Sequence, residues 1–235
     1  MWPRDRAWTP RSGRLDREGG EMNKGGETDE REVRLLLVRH GETTWHADNR
    51  YAGSSDVGLT ARGHRQAAAL ARWAASCHSR PAAVYCSPQS RAIDTARPVA
   101  AALGTQPAVV PELAEAHFGI AEGHTLGELP ADVAARFRAD PVAHAFPEAE
   151  PPAVVAERGA GALRHVAARH RATGSDAPAL VVAHNTLLRL SLCLLFGIPL
   201  STYRRVLPRL DNAAVTEIGI HAGHASLRRL NAAVR

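Results

Sequence analysis

Two compact apolar runs organise the chain. Val33-Arg34-Leu35-Leu36-Leu37-Val38 leads into Arg39 and His40, and Ala179-Leu180-Val181-Val182-Ala183 leads into His184. Apolar runs of this length, bounded by turn residues, read as strands buried on both faces of a sheet. Ala82-Ala83-Val84-Tyr85-Cys86 reads as another strand, and Ala108-Val109-Val110 as a shorter one. Helical spacing fills the segments between them. Thr60 reads as the N-cap of a helix that carries Ala67, Leu70, Ala71 and Trp73. Pro88 fits the first turn of a helix reaching about Leu103, after which Gly104 and Pro107 interrupt the pattern. Residues 124–172 hold two helices separated by the stretch from Pro141 to Pro152, and Leu187 to Phe196 reads as a helix stopped by Gly197 and Pro199. Val215 to Ile220 and Ala225 to Leu230 flank a turn and read as a terminal hairpin. Strands alternating with helices predict an α/β fold, a three-layer α/β/α sandwich with a mostly parallel central sheet.

Residues 1–32 break this picture. They are rich in Gly, Arg and Glu, lack hydrophobic periodicity and cannot bury enough apolar area to offset ordering, so they are expected to form a disordered tail before one domain spanning residues 33–235. Met22 lies within that tail as an alternative start. The tail holds seven basic and eight acidic residues, so the net charge of +5 becomes +6 over the domain. A basic domain favours anionic ligands. Aromatic residues make up only 5% of the chain and no dense Lys/Arg stripe is interleaved with them, which argues against nucleic acid and for a small phosphorylated ligand. The longest apolar candidate for a membrane span, Leu187 to Leu200, is broken by Arg189, Gly197 and Pro199, and the N-terminus has no apolar leader core. These features predict a soluble cytoplasmic protein without membrane partners. Cys77, Cys86 and Cys193 are widely spaced and odd in number, so no disulfide framework or zinc-cysteine site is indicated; Cys86 and Cys193 are expected to be buried thiols.

Ligands of open α/β sheets bind beyond the carboxyl ends of the strands. Two strand-end histidines with nearby arginines therefore predict a cationic pocket able to hold a phosphate and offer an imidazole as nucleophile. Arg39-His40-Gly41-Glu42-Thr43, followed by Trp45, resembles the signature of the histidine phosphatase superfamily, also called the phosphoglycerate-mutase-like family. The similarity continues in order through Gly53, Asp56, Leu59-Thr60, Gly63 and Gln66-Ala67. It then takes in Ser87-Pro88-Gln89-Ser90-Arg91-Ala92-Ile93-Asp94-Thr95-Ala96, Leu113-Ala114-Glu115 with Phe118-Gly119 and Glu122-Gly123, and Val182-Ala183-His184. Four ordered blocks across residues 33–235 make the match specific.

The resemblance implies a metal-independent phosphatase without cofactor, acting on a small phosphate monoester through phospho-His40. A neutral imidazole has the lone pair that attack requires. Arg39 and Arg91 would neutralise the phosphoryl oxygens and His184 would donate to them. Glu115 would protonate the leaving oxygen and then deprotonate water, starting from the protonated form that burial beside an anion favours. Glu112 and Glu122 are rival carboxylates; the Leu-x-Glu spacing selects Glu115. His46, Gly53 and Asn185 are the expected substrate-binding residues. His78, His165, His170, His221 and His224 look like surface residues, and no cluster has metal-ligand spacing.

The chain departs from the family pattern at several points. His46 stands where many relatives carry asparagine, Ala52 where a polar residue is common, and Ala121 where tryptophan often precedes Glu122-Gly123. Asn185 follows His184 in place of the usual glycine, and Glu148-Ala149-Glu150-Pro151 replaces a Gly-Gly-Glu-Ser-like stretch. The smaller Ala52 and Ala121 suggest a wide pocket mouth. Phosphoglycerate mutation is the nearest rival activity, but the segment from Thr125 to Pro152 looks poor for gripping a bisphosphate. A non-catalytic phospho-ligand binding module is the rival from another class. The oligomeric state is left open, a dimer included.

Overall fold

The computed structural model describes residues 31–234. The expected disorder of residues 1–32 thus falls outside the described residues except at its last two positions. Arg31 pairs with Asp176 at 3.0 Å, and the Glu32 carboxylate meets Arg228 and the Ser226 hydroxyl.

Six strands form one sheet: β1 (Val33–Arg39), β2 (Ala83–Cys86), β3 (Ala108–Val109), β4 (Ala179–Ala183), β5 (Val215–His221) and β6 (His224–Ala232). Their order is β3-β2-β4-β1-β5-β6. The first four strands run parallel, and β5 and β6 are added antiparallel at one edge. Side chains of a strand alternate between faces, and β1 shows it: Leu35 and Leu37 enter one core with Ala179, Val181 and Ala183, while Leu36 and Val38 enter the other with Leu180 and Val182. Helices α1 (Ala61–Ser76) and α2 (Ser90–Leu103) cover the second face, and α4 (Pro152–Arg171) and α5 (Asn185–Leu195) cover the first. The expected three-layer sandwich with a mostly parallel sheet is the observed fold. A short helix α3 (Ala131–Ala139), the loops around it and α6 (Tyr203–Val206) lie over the carboxyl ends of the strands. There Phe137 and Phe146 stack at 3.8 Å, with Tyr51 and Phe118 packed edge-on beside them. Among the described residues no helix is long and apolar enough to cross a membrane.

Local chemistry accounts for some element ends. The Thr60 hydroxyl accepts the Gly63 N–H at 3.0 Å as the expected N-cap of α1, and Gly104 closes α2 in a left-handed conformation. Pro88 is not in the first turn of α2, which begins at Ser90 after Gln89. Gln89 gives α2 no side-chain cap because its amide bonds elsewhere. Helix α5 begins two residues earlier than the apolar pattern predicts, because N–H groups of its first turn, those of Thr186 and Leu187, are met by the Glu115 carboxylate 71 and 72 positions away. His170 is buried rather than on the surface, and its Nε2–H donates to the Ala177 carbonyl at 2.7 Å. Cys86 and Cys193 are buried free thiols.

Gly159 on α4 lets α5 approach closely: a Cβ there would stand 2.1 Å from the Ser191 hydroxyl and 2.8 Å from Leu187 Cδ1. A Cβ at Gly161, two residues on, would meet nothing within 4 Å. Gly159→Ala should therefore destabilise the fold by about 1–3 kcal/mol through overpacking. Gly161→Ala should stabilise it by about 0.5–1 kcal/mol through helix propensity. Urea denaturation of both variants checks this, and equal shifts of the same sign would contradict the close α4–α5 contact.

Candidate active site

Parallel pairing of β1 with β4 sets Arg39 beside Ala183, and the His40 N–H donates to the Ala183 carbonyl at 3.0 Å. The two strand-end histidines thus emerge side by side, with ring centroids 5.1 Å apart. Both are buried. His40 Nδ1 lies 2.7 Å from the Gly41 carbonyl; a carbonyl can only accept, so Nδ1 carries the proton and Nε2 keeps its lone pair. Burial, with Arg39 and Arg91 adding to it, holds the His40 pKa well below the ordinary imidazole value. Burial does the same to His184, helped by the neighbouring His40 and Arg91.

A cavity of about 460 Å³ opens over these residues. Arg39 reaches it after donating to the Leu210 carbonyl at 2.8 Å, and burial lowers its pKa to about 10, which leaves it charged at neutral pH. Arg91, on α2, is fully buried and donates to the carbonyls of Ser55, Ala52 and Gly53 at 2.7, 2.7 and 2.8 Å. The Nε groups of Arg39 and Arg91 and Nδ1 of His184 are buried without a hydrogen-bond partner among the described residues. Two of these open atoms belong to arginines that line the cavity and the third to the imidazole beside His40, an arrangement suited to an oxygen-rich ligand.

Of the three candidate carboxylates only Glu115 lines this cavity. Its Oε1 accepts N–H groups from Leu187 and Ala116, and its Oε2 accepts that of Thr186 at 3.0 Å. It is therefore seated on the N-terminus of α5, where a helix favours negative charge. Arg158 braces the loop before it, donating to the Glu112 and Ala114 carbonyls and gripping Glu150 at 2.8 Å. The Glu112 side chain is exposed. Glu122 is a structural brace: burial opposes its charge, but the N–H and hydroxyl groups of Ser54 and Ser55 and the Phe118 N–H prevail and lower its pKa.

A family model, the histidine phosphatase superfamily (branch 1), matches residues 35–233. The chain belongs to the histidine phosphatase superfamily. It is accordingly a phosphoric monoester hydrolase. It is 33% identical over 201 residues to a Hydrogenobacter thermophilus protein provisionally named phosphoserine phosphatase 2, covering 84% of this chain and 95% of that one. It is 30% identical over 196 residues to the glucosyl-3-phosphoglycerate phosphatase of Mycolicibacterium vanbaalenii, covering 81% and 84%. Among solved structures, a mycobacterial glucosyl-3-phosphoglycerate phosphatase in complex with VO3 superposes with a TM-score of 0.77 at 27% identity, covering 86% of this chain and all of that one.

In this histidine phosphatase the expected site residues converge unequally. Arg39, His40, His46, Arg91, Glu115 and Asn185 line the cavity, whereas His184 sits behind His40 and Gly53 does not reach the surface of the cavity. The Gly53 carbonyl is turned to Arg91 and to Gln89, and a Cβ there would stand 2.3 Å from Glu122 Oε1, so its part is to allow close packing of the loop. Ala52 does line the mouth, but Ala121 does not widen it; Ala121 is buried in the aromatic cluster with Phe137 and Phe146. His46 offers no free donor to a ligand. Its Nε2 faces the Arg39 guanidinium at 2.6 Å, which can only donate, and its Nδ1 meets the Thr43 N–H at 2.9 Å and the Thr43 hydroxyl at 2.8 Å. Burial and Arg39 push its pKa down to about 4.

Gln89, whose part in its motif is not legible from the sequence, bridges three segments of the site. Its Oε1 accepts the Glu115 N–H at 3.0 Å and lies 3.1 Å from the Ser87 hydroxyl, while its Nε2 donates to the Gly53 carbonyl at 2.7 Å. Ser87 in turn meets His184 Nε2 at 2.7 Å. One amide thus ties the acid loop, the arginine loop and the second histidine together. Arg50, Arg189, Arg204 and Arg209 also line the cavity, on segments that carry no motif.

Gln89→Leu should lower kcat about tenfold, the worth of one lost polar contact of about 1.4 kcal/mol, with little change in melting temperature; an unchanged kcat on p-nitrophenyl phosphate would show that the bridge is idle. The lowered pKa of His46 has a definite sign. An unfolded chain takes up the imidazole proton near pH 6.5, and the folded chain refuses it until about pH 4. Stability from this source is complete above pH 6.5 and is lost as pH falls toward 4. His46→Asn should therefore lose less melting temperature than the wild type between neutral pH and pH 5; identical losses in thermal scans would mean that His46 titrates normally.

Proposed function

We propose that this protein hydrolyses a small phosphorylated metabolite through a phosphohistidine on His40. The observation that carries the reading is the Nδ1–H contact of His40 to the Gly41 carbonyl at 2.7 Å in a site that disfavours the imidazolium. It presents Nε2 as an oriented, unprotonated nucleophile between two guanidinium groups.

The Nε2 lone pair attacks phosphorus while the ester P–O bond breaks. Arg39 and Arg91 share the charge on the phosphoryl oxygens through their open Nε–H groups. His184 contributes a donor when the Ser87 hydroxyl turns its proton to His184 Nε2, because the imidazole proton then resides on the open Nδ1. Glu115, which lines the cavity, acts as the general acid and hands a proton to the leaving oxygen. Glu115 then removes a proton from water as the water attacks phospho-His40, and inorganic phosphate leaves with His40 regenerated. The phosphatase names of the relatives favour hydrolysis over phosphoglycerate mutation.

His40→Ala should abolish both phosphate release from p-nitrophenyl phosphate and acid-labile, base-stable labelling of the protein by a phosphate donor. Glu115→Gln should reduce kcat by roughly 10²–10⁴, with smaller losses for esters whose leaving groups need little protonation. Undiminished turnover in His40→Ala would sink the assignment. Phosphoglycerate isomerisation faster than phosphate release in the wild type would turn it toward mutation.

A further inference from the structure

The phosphoryl site uses Arg39 and Arg91, which leaves unexplained the arginines elsewhere around the cavity. Arg50 and Arg209 have their charge met by Glu128 at 2.9 Å and Asp211 at 2.8 Å. Arg189 and Arg204 have no carboxylate partner among the described residues. Arg189, on α5, is only 4% exposed. Its Nε donates to the Leu207 carbonyl and its face lies over the Tyr203 ring at 4.6 Å, but its Nη2 is buried without a partner. Arg204 is held over Phe137 at 4.6 Å and donates from Nε to the Tyr203 hydroxyl at 3.1 Å. Aromatic faces steady both guanidinium groups without supplying a counter-charge. A buried cation with an open N–H edge on a cavity is unfavourable until an anion reaches it.

Arg189 and Arg204 share the Tyr203 ring, whereas Arg91 is tied to the loop of Ala52, Gly53 and Ser55; Arg39, on the Leu210 carbonyl, lies near enough to Arg189 for the two charges to repel. Asn185 stands on the α5 side; its Oδ1 accepts the Leu210 N–H at 3.0 Å, which leaves its amide N–H groups uncommitted. One phosphate balances Arg39 and Arg91 and leaves the charges of Arg189 and Arg204 on the same cavity. We infer that the substrate carries a second anionic group, a carboxylate or another phosphate, held by Arg189 and Arg204 with help from Asn185. This rests on the phosphatase reading and names its substrate class.

The test compares matched esters that differ only in the second anion. O-phosphoserine is set against O-phosphoethanolamine, 3-phosphoglycerate against glycerol 3-phosphate, and fructose 1,6-bisphosphate against fructose 6-phosphate. The first two pairs report a carboxylate and the third a phosphate. The doubly anionic member of at least one type should have a kcat/KM roughly 10–100-fold higher, the worth of a charged hydrogen bond. Arg204→Gln should lower kcat/KM for that member about tenfold more than for the counterpart that lacks the second anion, chiefly through KM. Arg189→Met should do the same; should it fail to fold, the exposed Arg204 still carries the test. Equal kcat/KM across every pair, or variants that lower both members alike, would overturn the subsite while His40-dependent p-nitrophenyl phosphate hydrolysis left the phosphatase reading standing. If no ester is hydrolysed, calorimetric titration of the same pairs into the wild type and Arg204→Gln decides the matter. A preference of the same size that Arg204→Gln removes supports the subsite, and equal affinities overturn it.

Discussion

The site depends on the register between β1 and β4. Arg39 pairs with Ala183, so the chain leaves both strands at the same height and the His40 N–H closes on the Ala183 carbonyl. A one-residue slip would turn every side chain of β1 to the opposite face. It would exchange Leu35 and Leu37 for Leu36 and Val38 in the two cores and part the imidazoles. Both faces of these strands are covered, so either core resists the slip. Hydrophobic burial far from the cavity thereby fixes the position of the nucleophile.

Charge in the cavity is arranged around neutral histidines. Burial and the guanidinium groups of Arg39 and Arg91 disfavour the protonated forms of His40 and His184, and burial with Arg39 does the same to His46. The arginines remain charged because the guanidinium holds its proton far more strongly than an imidazole. Cations that cannot discharge thus stand next to bases that cannot charge, a combination suited to receiving an anion and attacking it. His46 Nε2 accepts from Arg39 and so orients the arginine.

Glu115 joins the catalytic and structural halves. Its carboxylate completes the N-terminus of α5, the helix that also carries Asn185 and Arg189. Its own N–H is held by Gln89, and Arg158 holds the carbonyls just before it. A change at any of these contacts reaches the acid and the α5 side of the cavity together.

The strands, the major helices, the three-layer architecture and the block of residues around His40 were legible along the chain. They rest on local periodicity and on contiguous motifs, and apolar runs must be buried wherever the chain leads them. The start of α5 is not legible because its cap comes from Glu115, nor is the burial of His170, whose partner is a carbonyl across a turn. The roles of Gly53 and Ala121 depended on which side of a loop faces the cavity. Gln89 and Ser87 were visible as letters of a motif, but their bridging depends on three loops meeting. Arg189 and Arg204 carry no motif; folding of α5 and α6 against the cavity rim brings them to it. The sequence by itself determined which elements form and which residues can do phosphoryl chemistry, because propensity and hydrophobic period are local. Only the tertiary structure decided which cations remain unpaired and what each polar atom faces, because those depend on contacts between segments far apart in the chain.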